Sequence, residues 1–262
     1  MRRRHRLLAS IVLGVGVCGC GSMIDHFVFF PEARVGEPPR GASELWLRAP
    51  DGPRLHAWYV QPAGSTATLV WSHGNGGNIA VRADVLLGLA ARGLGVLAYD
   101  YRGYGRSEGA PSEDGVYRDA QAAYDALRER GIPASRLVSF GESLGGAVSI
   151  QLATQRPCAA VVVVSTFTTL RDVARVHYGP LAVLAGARFD SAARLASLSV
   201  PFFAAHGDRD AVVPFDLGAR LFALAREPKT FLSVPGAGHD DVLDDPALLD
   251  GIAAFVAAHV RG

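Results

Sequence analysis

Gly141-Glu142-Ser143-Leu144-Gly145, with Gly146 directly after it, is the stretch on which the reading of this 262-residue chain turns. It has the form G-x-S-x-G, and its context carries more than its letters. Arg136 to Phe140 before it has strand character, and Leu144 to Thr154 after it has the length and composition of a helix. A serine on a sharp strand-to-helix turn has a strained backbone, and bulky neighbours two positions away would clash, so the turn needs glycine on both sides. Such a turn lifts the hydroxyl clear of the sheet and sets the unpaired N–H groups of a helix N-terminus behind it. The blander alternative, a glycine-rich loop with an incidental serine, requires no partner residues elsewhere in the chain.

Outward from that turn, strands and helices alternate. Ala67 to Trp71, Gly95 to Tyr99, Ala159 to Val164, Phe202 to Ala205 and Thr230 to Val234 read as short apolar strands. Ile79 to Arg92, Val116 to Arg130, Leu217 to Ala225 and Ala247 to His259 read as the helices between and after them. Ahead of these, Leu45 to Leu47 and Leu55 to Val60 alternate in polarity around Asp51-Gly52-Pro53, the pattern of an opening hairpin. Continuously apolar strands separated by helices predict an α/β architecture: a mostly parallel eight-stranded sheet with helices on both faces. No repeat of 20 to 50 residues interrupts it, and the sequence reads as one domain over residues 44–262.

A serine hydroxyl is a poor nucleophile until a base takes its proton. Of the eight histidines, His239 lies in Gly236-Ala-Gly-His-Asp, a glycine-flanked loop between the last strand and the last helix. His73 and His206 lie at strand ends, His177 lies beyond the valine strand, and His56 and His259 read as surface residues. The order nucleophile, acid, histidine along the chain then asks for a carboxylate between Ser143 and His239. His206-Gly-Asp-Arg-Asp-Ala-Val-Val-Pro214 offers Asp208 and Asp210. Asp208 could cap a turn. Asp210 directly precedes an apolar stretch that would bury it, and a buried carboxylate best orients an imidazole, which favours Asp210. For a developing oxyanion, the backbone N–H of Leu144 is one donor. The loop Ser72-His-Gly-Asn-Gly-Gly-Asn78 can approach closely, and Asn75 is the candidate for the second. That loop lacks the lysine and Ser/Thr of a phosphate-binding loop. No metal-ligand spacing is present, and no cofactor is expected.

The amino terminus is a separate object. Basic Met1 to Arg6 precedes an apolar run of eleven residues, Leu7 to Val17, too short for the roughly 20 residues of a bilayer-spanning helix. Its end, Val17-Cys18-Gly19-Cys20, has the form of a bacterial lipoprotein signal with Cys20 as the acylated residue; an ordinary signal peptide and an uncleaved anchor are the alternatives. This reading gives a signal over 1–19, a lipid-anchored tether over 20–43, and a location in a bacterial cell envelope; within the tether the aromatic cluster Phe27-Val-Phe-Phe30 is a candidate to cover one edge of the domain, and the Pro/Gly stretch after it is linker-like. Cys158 would then be the one cysteine left, a small apolar residue rather than a reactive thiol. A formal net charge of +1 argues against a nucleic-acid partner.

Taken together, Ser72-His-Gly-Asn-Gly-Gly-Asn, Tyr99-Asp-Tyr-Arg-Gly-Tyr-Gly-Arg-Ser-Glu-Gly, Gly-Glu-Ser-Leu-Gly-Gly and His-Gly-Asp-Arg-Asp-Ala-Val-Val-Pro resemble the α/β-hydrolase superfamily across residues 44–262. Within it they are similar to the serine aminopeptidase S33-like hydrolases, a group related to eukaryotic depalmitoylating enzymes. The resemblance implies an α/β-hydrolase fold, a triad of Ser143, Asp210 and His239, and structural roles for Asp100 and Arg102 in a sheet-end loop. Substrate is not fixed by it, because relatives handle esters, thioesters, amides and lactones. The interval where many lipases carry a lid, Ser165 to Val200, is 36 residues here, enough for a short cap with one or two helices in Arg171 to Leu184. Phe167, Tyr178, Leu181 and Phe189 are its candidates for pocket lining. The expected activity is hydrolysis of carboxylic esters with small to medium acyl groups. The rivals are a thioesterase and a catalytically silent lipid-anchored binding protein.

Overall fold

Val161, Val162, Val163 and Val164 are each at most 1% exposed, and they divide between two cores. Val162 and Val164 belong to one, Val161 and Val163 to another. Successive strand side chains point to opposite faces, so a run apolar at every position needs cover on both, and the sheet has it. The structure, a computed structural model, describes residues 25–260; Cys18, Cys20 and the apolar run before them lie outside the described residues.

Eight strands form the main sheet: β1 (Ser43–Arg48), β2 (Arg54–Val60), β3 (Thr68–Ser72), β4 (Gly95–Tyr99), β5 (Leu137–Glu142), β6 (Ala160–Val164), β7 (Phe202–Gly207) and β8 (Lys229–Val234). Their spatial order is β8-β7-β6-β5-β3-β4-β2-β1. The six from β8 to β4 are parallel, and β2 and β1 extend the edge antiparallel. Helices α1 (Ala83–Ala91) and α7 (Pro246–His259) cover one face through Leu86, Leu89, Ile252 and Phe255. Helices α2 (Glu113–Glu129) and α3 (Leu144–Gln155) cover the other, joined by α5 (Ser191–Leu195) and α6 (Phe215–Leu224). The expected fold is the one formed. The predicted helix from Ile79 opens as a turn of 3-10 helix, Ile79–Arg82, capped by the Asn78 side chain, before becoming α1.

The strand order fixes where a ligand can sit. After β3 the chain moves to β4 on one side, and after β5 it moves to β6 on the other. The loops leaving β3 and β5 therefore diverge, and the crevice between them is where open α/β sheets hold ligands. Ser72 to Asn78 and the turn at Ser143 are those two loops.

Ahead of residue 44 the aromatic cluster covers one edge of the domain, an arrangement the sequence offers: Val28 and Phe29 are 6% and 4% exposed, and the Phe29 ring meets Phe189 edge-on. Phe30–Pro31 pairs in parallel with Gly76–Gly77, and the Glu32 carbonyl accepts from Gly105 N–H. His56, expected at the surface, is fully buried between Glu44 (2.9 Å) and Asp100 (3.4 Å).

Candidate active site

Ser143 stands between β5 and α3 with φ 51° and ψ −121°, a left-handed conformation that a side-chain-bearing residue adopts only under constraint. The constraints are visible. Ser143 N–H donates to Val164 O at 2.9 Å, and Thr166 Oγ1 donates to Ser143 O at 2.8 Å. The glycines are required by close approach: a Cβ at Gly141 would collide with the Gly145 carbonyl, and one at Gly145 with the Ser72 carbonyl. The spacing in G-x-S-x-G is thus the signature of β3, β5 and α3 meeting at backbone contact.

The loops after β7 and β8 bring the other two candidates in. His239 Nε2 lies 2.9 Å from Ser143 Oγ, and His239 Nδ1 lies 2.7 Å from Asp210 Oδ2. Both contacts are satisfied when the hydroxyl donates to Nε2 and Nδ1–H donates to the carboxylate. The second oxygen of Asp210 accepts from the N–H groups of Val212 (2.9 Å) and Val213 (2.8 Å), so the carboxylate cannot rotate away. His206 stands 3.3 Å from Asp210 Oδ2 while donating to Val213 O. Burial by itself would raise the Asp210 carboxyl. The hydrogen bonds from His206 and His239 and the charge of His239 outweigh it and hold the group well below the usual carboxylate value. Asp208 points elsewhere: its Oδ1 accepts Gly236 N–H at 2.7 Å, fastening the acid loop to the histidine loop. Arg209 N–H to Ala237 O, at 3.0 Å, is a second fastening.

Leu144 N–H opens α3 behind the serine, and Asn75 lines the same cleft as Ser143. Neither N–H donates to another protein group among the described residues. Groups the sequence did not single out hold the Asn75 loop. Glu142 Oε1 accepts Gly74 N–H at 3.0 Å and also takes the Arg82 guanidinium, whose Nη1 in turn bonds Gly76 O and Asn78 O. From the outer side, Phe30 N–H (2.9 Å) and Tyr104 OH (2.7 Å) both donate to Asn75 O, and Asn75 Nδ2 donates to Val28 O. His73 is a buried wedge beneath this loop, its ring against Tyr101 and Tyr104; burial first, then the nearby Arg82, pushes its imidazole well below the usual value. Glu142 occupies a variable position of the motif and Arg82 lies 60 residues away, so no local pattern joins them. His206, the histidine of His-Gly-Asp, could have been suspected from its place at the strand end.

The cleft over Ser143 encloses about 400 Å³, with Val81, Val85, Val242 and Leu243 as its apolar wall. The cap residues do not line it, contrary to expectation. Phe167 and Phe189 are buried in the core beneath the cap, whereas Tyr178 and Leu181 are 67% and 65% exposed. Helix α4 (Leu170–Tyr178) and the 3-10 turn Gly179–Ala185 form the cap. Phe189 packs edge-on against Tyr117 and Phe29. Asp100 and Arg102 have structural contacts: Asp100 accepts from Ile79 N–H, and Arg102 bridges buried Asp119 and Asp51.

Similarity to known proteins agrees with this architecture. The family described as serine aminopeptidase, S33 matches residues 63–190. An uncharacterized protein of Mycobacterium tuberculosis is 40% identical over 95% of this chain and 92% of its own length. Alpha/beta hydrolase domain-containing protein 17B of Xenopus laevis is 33% identical over 80% of this chain and 73% of its own. An esterase structure from Pyrococcus furiosus superposes with a TM-score of 0.75 at 18% identity, covering 89% of this chain and 99% of that one. The chain belongs to the α/β-hydrolase superfamily and is a hydrolase.

Proposed function

We propose that this hydrolase is a serine esterase that cleaves carboxylic esters of small to medium acyl groups through an acyl-enzyme, from a lipid-anchored position in a bacterial cell envelope. The observation that carries the chemistry is the continuous chain of hydrogen bonds from Ser143 through His239 to Asp210 at a strained strand-to-helix turn. His239 takes the hydroxyl proton as Ser143 Oγ attacks the ester carbonyl, and the imidazolium is stabilised by Asp210. The N–H groups of Leu144 and Asn75 receive the oxyanion, each such donor contributing roughly 10²–10³ in rate. The carbonyl re-forms, the ester C–O bond breaks, and the alcohol leaves with the proton from His239. Water, deprotonated by His239, then attacks the acyl-enzyme, and the acid leaves as Ser143 regains its proton.

Substrate size is argued from the cleft. At about 400 Å³ it lies near the small end of ligand pockets, which run from roughly 300 to 1,000 Å³. Its apolar wall gives each methylene about 0.8 kcal/mol while there is wall to touch, so the gain should stop after a few carbons. The location is argued from the apolar run Leu7 to Val17 and Cys20; among the described residues no helix is long and apolar enough to cross a membrane.

Rapid mixing with p-nitrophenyl butyrate tests the reaction type. An acyl-enzyme releases a burst of about one p-nitrophenol per protein before the steady state, if deacylation is the slower half. Steady turnover of thioesters far above that of matched oxygen esters would transfer the assignment to a thioesterase. Absence of turnover on both, with no covalent adduct, would leave a binding protein.

A further inference from the structure

Val176, Tyr178, Leu181, Val183 and Leu184 are between 53% and 67% exposed, all within one short stretch of the cap. Apolar side chains gathered like this on a surface mark a place where something apolar is met. Arg171 and Arg175 flank them, and with Gly179, Pro180, Ala182 and Val183 they line a shallow groove of about 460 Å³. From Leu170 to Phe189 the cap carries three arginines against one acid, Asp172; Arg188 is mostly buried and paired with Asp25 and Glu113, which leaves Arg171 and Arg175 at the surface. Asp172 is half-buried: its carboxylate accepts from the Thr168 hydroxyl, and its backbone N–H donates to the Thr169 hydroxyl that caps α4. Apolar groups flanked by exposed arginines are the composition of a surface that settles among anionic headgroups.

The course of the chain supplies the occupant. Asp25 pairs with Arg188 of the cap, and Phe29 packs on Phe189, so the N-terminal segment joins the domain at the base of the cap. Leu170, where α4 starts, donates to Arg188 O, which sets the patch about one nine-residue helix, roughly 13 Å, from that junction. Cys20 is five residues before Asp25, at most about 18 Å of extended chain. A domain of this length has a radius of gyration of about 18 Å, so such a leash is too short to let the far side turn toward the membrane. Phe27, 76% exposed, stands at the junction between Asp25 and Phe29.

We propose that the outer face of the cap, Val176 to Leu184 with Arg171 and Arg175, docks on the surface of a lipid bilayer beside the anchor. The proposal rests on the anchoring reading above, and it adds an orientation: the cap faces the lipid, and the ends of helices such as α2 at Glu129 face away.

The test uses the exported full-length protein with a single cysteine introduced at Leu181 or at the exposed control Glu129, labelled with an environment-sensitive fluorophore. Cys158, whose thiol burial pushes up to about 12, is a poor competitor for the label, and the unsubstituted chain supplies the background. The protein is reconstituted on vesicles of phosphatidylethanolamine and phosphatidylglycerol with and without brominated acyl chains. Retained turnover of a soluble short-chain ester shows that each labelled protein is folded. Bromine is expected to quench the label in Leu181→Cys and to leave that in Glu129→Cys unchanged. Vesicle-bound protein whose label at 181 is unquenched overturns the docking and leaves the anchor standing. A label at 181 shielded from aqueous iodide yet unquenched by bromine means a protein occupant, and also overturns it. Protein that does not float with the vesicles overturns anchor and docking together.

Discussion

Glu142 Oε1 accepts the backbone N–H of Gly74 at 3.0 Å, so the residue before Ser143 holds the loop that presents Asn75. Its carboxylate and the Arg82 guanidinium are both mostly buried at this contact. Glu142→Ala removes an acceptor that no neighbour replaces, and a hydrogen bond to a charged group is worth about 1.5–3 kcal/mol. We expect kcat to fall roughly ten- to a hundredfold with KM little changed, since the loss falls on transition-state stabilisation. Glu142→Gln keeps an acceptor oxygen and should recover part of that loss. Equal kcat in wild type and Glu142→Ala would show that the loop needs no such hold.

The two aspartates after β7 should separate cleanly. Asp210→Asn leaves the imidazole without its orienting charge and should lower kcat by about 10⁴. Asp208→Asn weakens one loop fastening, to Gly236, and should cost about 1 kcal/mol of stability with modest effect on turnover. Reversed effects would assign the acid to Asp208.

The same residue predicts a pH dependence of stability. The folded Asp210 carboxyl is held below its usual value of 3.8, so its contribution is fully present above that value. It is lost as pH falls through the folded value, because the unfolded chain takes up the proton first. The stability gap between wild type and Asp210→Asn should therefore be constant near neutrality and shrink below about pH 4. Urea titrations at a series of pH values measure it; a gap that widens on acidification contradicts the assignment.

The docked N-terminal segment should act on the site through Asn75. Phe29→Ala empties a buried aromatic position, a change that costs about 3–5 kcal/mol in a well-packed core. Here the loss should be spent on local release of the segment. Hydrogen exchange should quicken at Phe30 and Glu32, whose N–H groups bond Asn75 O and Gly77 O, while strands β5 and β6 stay protected. Turnover should fall alongside. Undisturbed exchange at Phe30 and Glu32 would mean that the segment is held without Phe29.

Much of this was readable in the sequence because it was local. Glycines flanking Ser143, an aspartate buried ahead of Val212 and Val213, and a histidine in a glycine loop each announce themselves within a few residues. The order of the three along the chain joins them. The Arg82–Glu142 clamp was not readable, since nothing in residue 82 indicates which strand end its side chain will reach. The aromatic cluster around Val28 and Phe29 is legible as cover for a domain edge, but which edge is not, since nothing local to it names Phe189 as its partner. The cap misled most. A short amphipathic helix shows that it has an apolar side, but its period does not say whether that side meets the cleft or the outside, and Tyr178 and Leu181 meet the outside.

Acyl-chain selectivity is a quantitative matter. A p-nitrophenyl ester series from two to sixteen carbons should give a kcat/KM maximum within roughly two to eight carbons, the gain ending when methylenes leave the wall of Val81, Val85, Val242 and Leu243. A maximum at twelve or more carbons would require a longer acyl site than this cleft and would favour a depalmitoylating activity.

The central claim is that Ser143 Oγ is the nucleophile, and covalent labelling addresses it most directly. The protein is treated with a fluorophosphonate, digested, and the modified peptide located by mass spectrometry, with Ser143→Ala run in parallel. One stoichiometric adduct is expected on the peptide containing Ser143, and none in Ser143→Ala. A stoichiometric adduct on any other residue, or equal labelling of folded Ser143→Ala, would contradict it.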